Sequence, residues 1–167
     1  MNMSEGQAKL EIGLLNAKTV DFDRLNLVVT LTNRGLPQEI ITRLSSLSCY
    51  TRIIGGHVIQ VGKIILMKVR DFVEKHSHLA IGMAVGAALG ALTQLIPFIG
   101  PLIAPILTAL GAFLGALAGH RLDKREQGIQ VEHGVIGIAE DLITLAKEFF
   151  QFFASIINAL AMYFSQQ

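Results

Sequence analysis

The side chains in this chain with the most reactive chemistry are five histidines and a single cysteine. His76 and His78 are two residues apart, a spacing that places them on different faces of a helix. Cys49 has no neighbouring histidine or basic residue to activate its thiol. No group of His, Cys, Asp and Glu has the spacing of a metal site. The sequence therefore predicts no catalytic residue, no metal and no cofactor, and a protein that is not an enzyme.

Glycines and basic residues are the remaining signals for a ligand. The glycines from Gly82 onward lie in an apolar run that lacks the Lys-Ser or Lys-Thr of a phosphate-binding loop. The basic residues are interleaved with acidic ones, and the net charge is +1 at pH 7. This composition favours neither nucleotide nor nucleic-acid binding.

Six glycines recur at a spacing of four residues, in two groups of three. They are Gly82, Gly86 and Gly90, followed by Gly111, Gly115 and Gly119. Residues four apart lie on one helix face, and a ridge of glycines lets helix backbones approach closely, as helices do in lipid. Because each glycine costs a helix ~1 kcal/mol relative to alanine, we interpret the six as a surface for helix packing and oligomer assembly.

These glycines lie within residues 79–119, 41 residues that contain no Asp, Glu, Lys, Arg or His. A single spanning helix needs about 20 apolar residues, so this stretch is long enough for two. Its middle is interrupted by three turn-forming residues, Pro97, Gly100 and Pro101. The pattern predicts a transmembrane helical hairpin with arms Leu79–Ile96 and Leu102–Gly119, each roughly 27 Å long. The alternative is a buried core hairpin of a soluble helical protein.

Two amphipathic segments flank the hairpin. Residues 49–78 alternate apolar and charged faces at helical spacing, and residues 135–167 form a Phe-rich helix with a narrow polar stripe. A charged connector, residues 120–134, separates the second segment from the hairpin. The stripe ends in three polar residues that would line the lumen if the helix surrounds a channel: Gln151, Ser155 and Asn158. The alternative places the stripe in solvent or among lipid head groups.

Residues 1–48 are predicted to form a small cytosolic helical module, within which residues 1–35 fit either a helix or a strand. The chain is 51% hydrophobic and only 16% charged, against about 25% charged in average soluble chains. No signal peptide is expected, because acidic residues interrupt the first 30 positions. Lys and Arg precede and follow the uncharged block, which by the positive-inside rule predicts an inner-membrane protein with both termini cytoplasmic.

The two glycine ladders, Gly82 to Gly90 and Gly111 to Gly119, resemble the glycine-zipper double-span hairpins of small bacterial membrane proteins. An uncharged hairpin between amphipathic helices also resembles, in architecture only, the pore-forming domains of colicin-type toxins. The colicin resemblance implies a buried hydrophobic hairpin that inserts first, with amphipathic helices following.

The predicted fold is therefore all-α, with a membrane hairpin of two glycine-zipper helices, two long amphipathic helices and a small N-terminal helical module. The leading function is permeabilisation of a lipid bilayer, or pore formation, by a homo-oligomer: a toxin, a defence effector or a lysis-type protein. The alternative is a non-conducting scaffold or anchor that shapes membrane or recruits a protein partner through residues 1–48. A third interpretation is a soluble oligomer that hides the hairpin in its core.

Overall fold

A computed structural model describes the backbone of residues 3–54, 56–122 and 128–165, and the side chains of these residues outside 113–140 and 164–165. Helices dominate the described residues, which confirms the all-α prediction. The helices are α1 (Glu5–Lys18), α2 (Arg24–Asn33), α3 (Gln38–Ser46), α4 (Val61–Lys75), α5 (Ile81–Leu95), α6 (Gly100–Leu122) and α7 (Gly128–Ser165). Two short strands accompany them, β1 (Arg52–Ile54) and β2 (His57–Ile59).

The N-terminal segment that fits either helix or strand is helical, because side chains cap its helices. The Ser4 hydroxyl accepts the backbone N–H of Gln7 at the start of α1. The Asp23 carboxylate accepts the N–H groups of Leu25 and Asn26 at 2.9 and 3.3 Å at the start of α2. Such caps satisfy donors that have no partner within the helix. Gly35 then follows α2 in the left-handed region, with φ +92°.

The amphipathic helix expected over residues 49–78 is shorter in the structure. It begins at Val61, and the preceding residues form an antiparallel hairpin in which Ile53 pairs with Val58. β-branched side chains favour strands, and Gly56 adopts φ +80° in the connecting turn. The helix that the apolar spacing predicts before Val61 is therefore absent from the described residues, and residues 52–54 and 57–59 form strands instead.

The centre of the fold is α5. Nine of its 15 residues are buried, and it packs against α4, α6 and α7. A helix without charged side chains can be covered on most sides without leaving an ion in the core. At 15 residues it is about 22 Å long, whereas α6 reaches about 35 Å. The first arm of the predicted hairpin is thus shorter than the hydrocarbon core of about 30 Å.

Helix α7 packs against α1 as well as α5, so the first helix belongs to the same fold as the C-terminal helix. The Tyr163 hydroxyl donates to the carbonyl of Met3 at 2.9 Å. Among the described residues, one segment, Asp141–Tyr163 of α7, is long and apolar enough to cross a membrane. One third of its most apolar window is buried, and α5 and the first part of α6 fall short of the same length.

Candidate functional site

The turn of the hairpin lies where the three turn residues predict it. Helix α5 ends at Leu95, a short 3-10 turn covers Pro97–Ile99, and α6 begins at Gly100. Pro97 opens the 3-10 turn and Pro101 is the second residue of α6, positions at which a missing N–H costs no helical bond. Ile96 and Ile99 are each 1% exposed and anchor the turn in the core.

Three polar side chains bind this end of the hairpin. Asn158 of α7 donates its side-chain amide to the carbonyl of Leu95 at 2.9 Å, which satisfies an acceptor at the end of α5. The guanidinium of Arg52 stands 4.5 Å from the centre of the Phe98 ring. The guanidinium of Arg43 donates to the carbonyl of Pro105 at 3.5 Å. We call these contacts the turn-end contacts.

Sequence reasoning missed Arg43 and Arg52. The signal that could have found them is charge distribution: residues 40–70 contain five Lys or Arg and no Asp or Glu. This cationic segment precedes the uncharged hairpin and packs against it through α3 and β1. The first acidic residue after this segment is Asp71.

The three residues predicted to line a lumen have different environments in the folded chain. Gln151 is exposed, and the Ser155 hydroxyl donates to the Gln151 carbonyl one turn earlier at 2.9 Å. Asn158 is engaged with Leu95 as described above. The stripe is therefore exposed at both Gln151 and Asn158, and Asn158 also binds the end of α5.

The two glycine ladders also differ. In α5, Gly82 is buried while Gly86 and Gly90 are half-buried, and a Cβ at Gly90 would meet Ile143 of α7 at 3.8 Å, an ordinary contact. In α6, Gly111 is exposed, and no atom of the described part of the chain lies within 4 Å of a Cβ built there. Gly115 and Gly119 belong to α6, but their surroundings lie outside the described residues.

Gly111 is part of a solvent-exposed surface of α6 whose side chains are small and uncharged. We call it the α6 face; its described members are Pro101, Ala104, Pro105, Thr108, Gly111 and Ala112. The opposite side of the helix buries Ile103, Ile106 and Leu110. A surface helix in water normally shows charged residues to solvent, so a face of this composition favours contact with another apolar surface or with lipid.

The connector between α4 and α5, residues 76–80, is held by Arg34 from the end of α2. Its guanidinium donates to the carbonyls of Val73, Ser77 and Leu79 at 3.4, 3.2 and 3.2 Å. Because the last carbonyls of a helix have no donor within it, this one side chain caps α4 and fixes the chain that enters α5.

Basic side chains cluster at the end of α4 and in the same connector. The His76 ring packs 4.6 Å from Phe72 and 5.8 Å from His78, centre to centre, and the Lys75 ammonium lies 5.5 Å from the Phe149 ring of α7. Burial, followed by the charges of His78 and Lys75, holds the pKa of His76 below its usual 6.5.

We expect acidification to destabilise the connector. Because the pKa of His76 is lower in the folded state, the unfolded state binds more protons as the pH falls through 6.5. The free energy of unfolding therefore decreases from pH 7.5 toward pH 5.5. Urea unfolding of wild type and His76→Gln at both values measures the effect, and the wild type should lose more stability than the variant. Equal losses in both proteins would contradict this role of His76.

Comparison of the chain with protein families, with curated proteins and with solved structures gives no match in any of the three. Within the described residues, no three His, Cys, Asp or Glu side chains come close enough to hold a metal ion. The hairpin, the α6 face and the basic groups around them are therefore the candidate functional features of the described residues.

Proposed function

We propose that this chain acts as a homo-oligomer that permeabilises a lipid bilayer or forms a pore in it, as a toxin, a defence effector or a lysis-type protein. The observation that carries the proposal is the different exposure of the two hairpin helices, which have no charged residue from 81 to 119. Helix α5 is mostly buried by its own chain, whereas α6 presents the α6 face to solvent. This is the arrangement expected of a hydrophobic hairpin stored in a water-compatible fold.

The hairpin can enter lipid at low electrostatic cost. Residues 79–119 contain no ionisable side chain to desolvate, and the helices satisfy their own backbone hydrogen bonds. The uncharged part of α6, residues 100–119, is about 30 Å long, which matches the hydrocarbon thickness. Helix α5 reaches about 27 Å when Leu79, Ala80 and Ile96 become helical.

Helix α7 supplies a further apolar segment. Its Asp141–Tyr163 portion has the length and composition of a span, with polar groups confined to a stripe. In an oligomer, Gln151, Ser155 and Asn158 would turn toward water in the lumen, and Asn158 would leave the Leu95 carbonyl. Basic residues before and after the hairpin favour an inner-membrane orientation with both termini in the cytoplasm.

Assembly is part of the proposal because a single hairpin cannot enclose a channel. Nothing within the described residues packs on Gly111, so this position of α6 is open to another copy. Close approach of glycine ridges is the means by which helices associate in lipid.

Release of an encapsulated dye from liposomes by the purified full-length chain tests the function. We expect concentration-dependent release, with a steep dependence that reflects assembly. Flotation of the same vesicles on a density gradient measures how much protein is bound. Protein that floats with the vesicles and releases no dye would refute permeabilisation.

A non-conducting scaffold or anchor is the second candidate. It is favoured by exposed apolar side chains on the first two helices, where Leu25 is 73% and Val29 56% exposed. These residues are four apart on α2 and offer a surface to a protein partner. Membrane binding without dye release is the outcome that this candidate requires.

A further inference from the structure

We infer that the hairpin docks, turn end first, on bilayers that contain anionic phospholipid, and that Arg43 and Arg52 bind the lipid phosphates. This inference rests on the proposed function and names the class of lipid that the chain would recognise. The juxtaposition that carries it is the placement of two exposed guanidinium groups against one end of an uncharged hairpin.

The two arginines come from different elements and meet the same end of the hairpin. Arg52 extends from β1 over the Phe98 ring in the turn. Arg43 extends from α3 to the carbonyl of Pro105, which is seven residues further on, about 10 Å along the helix. The start of the α6 face, Pro101 and Ala104, lies between these two contact points in the chain.

The segment that supplies both arginines carries charge of only one sign. Residues 40–70 carry five Lys or Arg without an acidic residue, and residues 79–119 carry no charge. Arg43 pairs with the Glu39 carboxylate at 3.2 Å, and the two side chains are 45% and 69% exposed. An exposed pair of this kind is weak, so a lipid phosphate can replace the carboxylate.

Phosphate is the anion that suits these side chains. A guanidinium presents a planar fork of donors that matches phosphate oxygens, often with two hydrogen bonds at once. The neighbouring apolar surface suits acyl chains: Arg52 and Phe98 border a cleft that is also lined by Ile157 and Leu160. A phosphate attached to acyl chains satisfies both features, and this combination selects a phospholipid bilayer as the occupant.

The test compares binding to vesicles of phosphatidylcholine alone and of phosphatidylcholine mixed with phosphatidylglycerol. We expect wild type to float with the mixed vesicles and to bind poorly to the neutral ones. The double variant Arg43→Gln/Arg52→Gln should lose about 30-fold in its partition coefficient on mixed vesicles, which corresponds to about 2 kcal/mol for two cations near an anionic surface. Helix content by circular dichroism verifies that the variant folds.

Two further variants separate charge from structure. Arg43→Lys/Arg52→Lys keeps both charges and should bind the mixed vesicles within a few-fold of wild type. Lys18→Gln/Arg24→Gln removes two exposed positive charges from α1 and α2, and should retain binding. A glutamine variant at 43 and 52 that binds like wild type would overturn the inference, as would an equal loss in the Lys18/Arg24 control.

The results also separate this inference from the proposed function. Dye release from neutral vesicles as fast as from mixed ones would overturn the lipid selectivity and leave permeabilisation standing. Selective binding to mixed vesicles without dye release would support the docking and refute permeabilisation. Binding to neither kind of vesicle would refute both.

Discussion

Gly111→Leu is expected to leave the fold of the chain intact and to slow its dye release from liposomes by roughly tenfold or more. Gly111 is exposed on the α6 face, and a Cβ at this position meets no atom of the described residues within 4 Å. Leucine is the better helix former by nearly 1 kcal/mol, so the free energy of unfolding should stay equal or rise. In lipid the same side chain prevents two glycine ridges from approaching, so assembly should fail.

The matched control for this variant is Gly13→Leu. Gly13 is an exposed glycine of α1, outside the hairpin, and a Cβ there likewise meets no atom of the described residues within 4 Å. We expect Gly13→Leu to release dye like wild type and Gly111→Leu to be slower by roughly tenfold or more, which corresponds to about 1.4 kcal/mol of assembly free energy. Wild-type release by Gly111→Leu would refute assembly through the α6 ladder.

The sequence also predicts that Gly86→Leu or Gly115→Leu abolishes assembly. Gly86 is half-buried in α5, where a leucine would disturb the packing of the monomer as well as any oligomer. The surroundings of Gly115 lie outside the described residues. Gly111 is therefore the position at which loss of assembly can be distinguished from loss of folding.

The helices and the hairpin turn could be predicted from the sequence because their signals are local. The charge-free run, its interruption at Pro97 to Pro101 and the glycine at position 35 each constrain the backbone within a few residues. Helix formation in residues 5–33 depended on caps at Ser4 and Asp23, which are also local. Whether the hairpin spans a bilayer remains part of the proposed function.

The hairpin of β1 and β2 could not be predicted in this way. Ile53, Ile54 and Val58 fit a helical face as well as two strands, and the choice depends on contacts from distant residues. The Asn16 side chain accepts the N–H of Gln60 at 2.8 Å and donates to the carbonyl of Val58 at 3.4 Å. Such bonds join positions more than 40 residues apart, and periodicity within one segment carries no information about them.

The turn-end contacts were missed for the same reason. Arg43, Arg52 and Asn158 approach the hairpin from three different elements, α3, β1 and α7. Their positions in the sequence show only charge or polarity. All three side chains contact the hairpin near its turn, and this shared position exists only in the folded chain.

Gly62→Ala should destabilise the folded chain strongly, although alanine is the better helix former. Gly62 is in the first turn of α4, and its N–H donates to the Tyr50 carbonyl at 3.0 Å. A Cβ there would overlap the carbonyl oxygen of Leu47 and come within 2.6 Å of the carbonyl carbon. These are backbone atoms, so no change of rotamer relieves the overlap, and α4 must move away from residues 47–50.

We expect Gly62→Ala to lower the free energy of unfolding by about 3 kcal/mol, a large fraction of the 5–15 kcal/mol that is typical of a domain. Gly13→Ala is the matched control, since Gly13 is an exposed helical glycine of α1 and a Cβ there meets no described atom within 4 Å. Urea unfolding should show that Gly13→Ala raises the free energy of unfolding by ~1 kcal/mol and that Gly62→Ala lowers it. If both variants change the free energy of unfolding in the same direction, α4 does not cross residues 47–50 at this distance. Changes of opposite sign in the free energy of unfolding would establish that this crossing fixes the position of α4. The end of α4 and the connector after it in turn position α5, the buried arm of the hairpin.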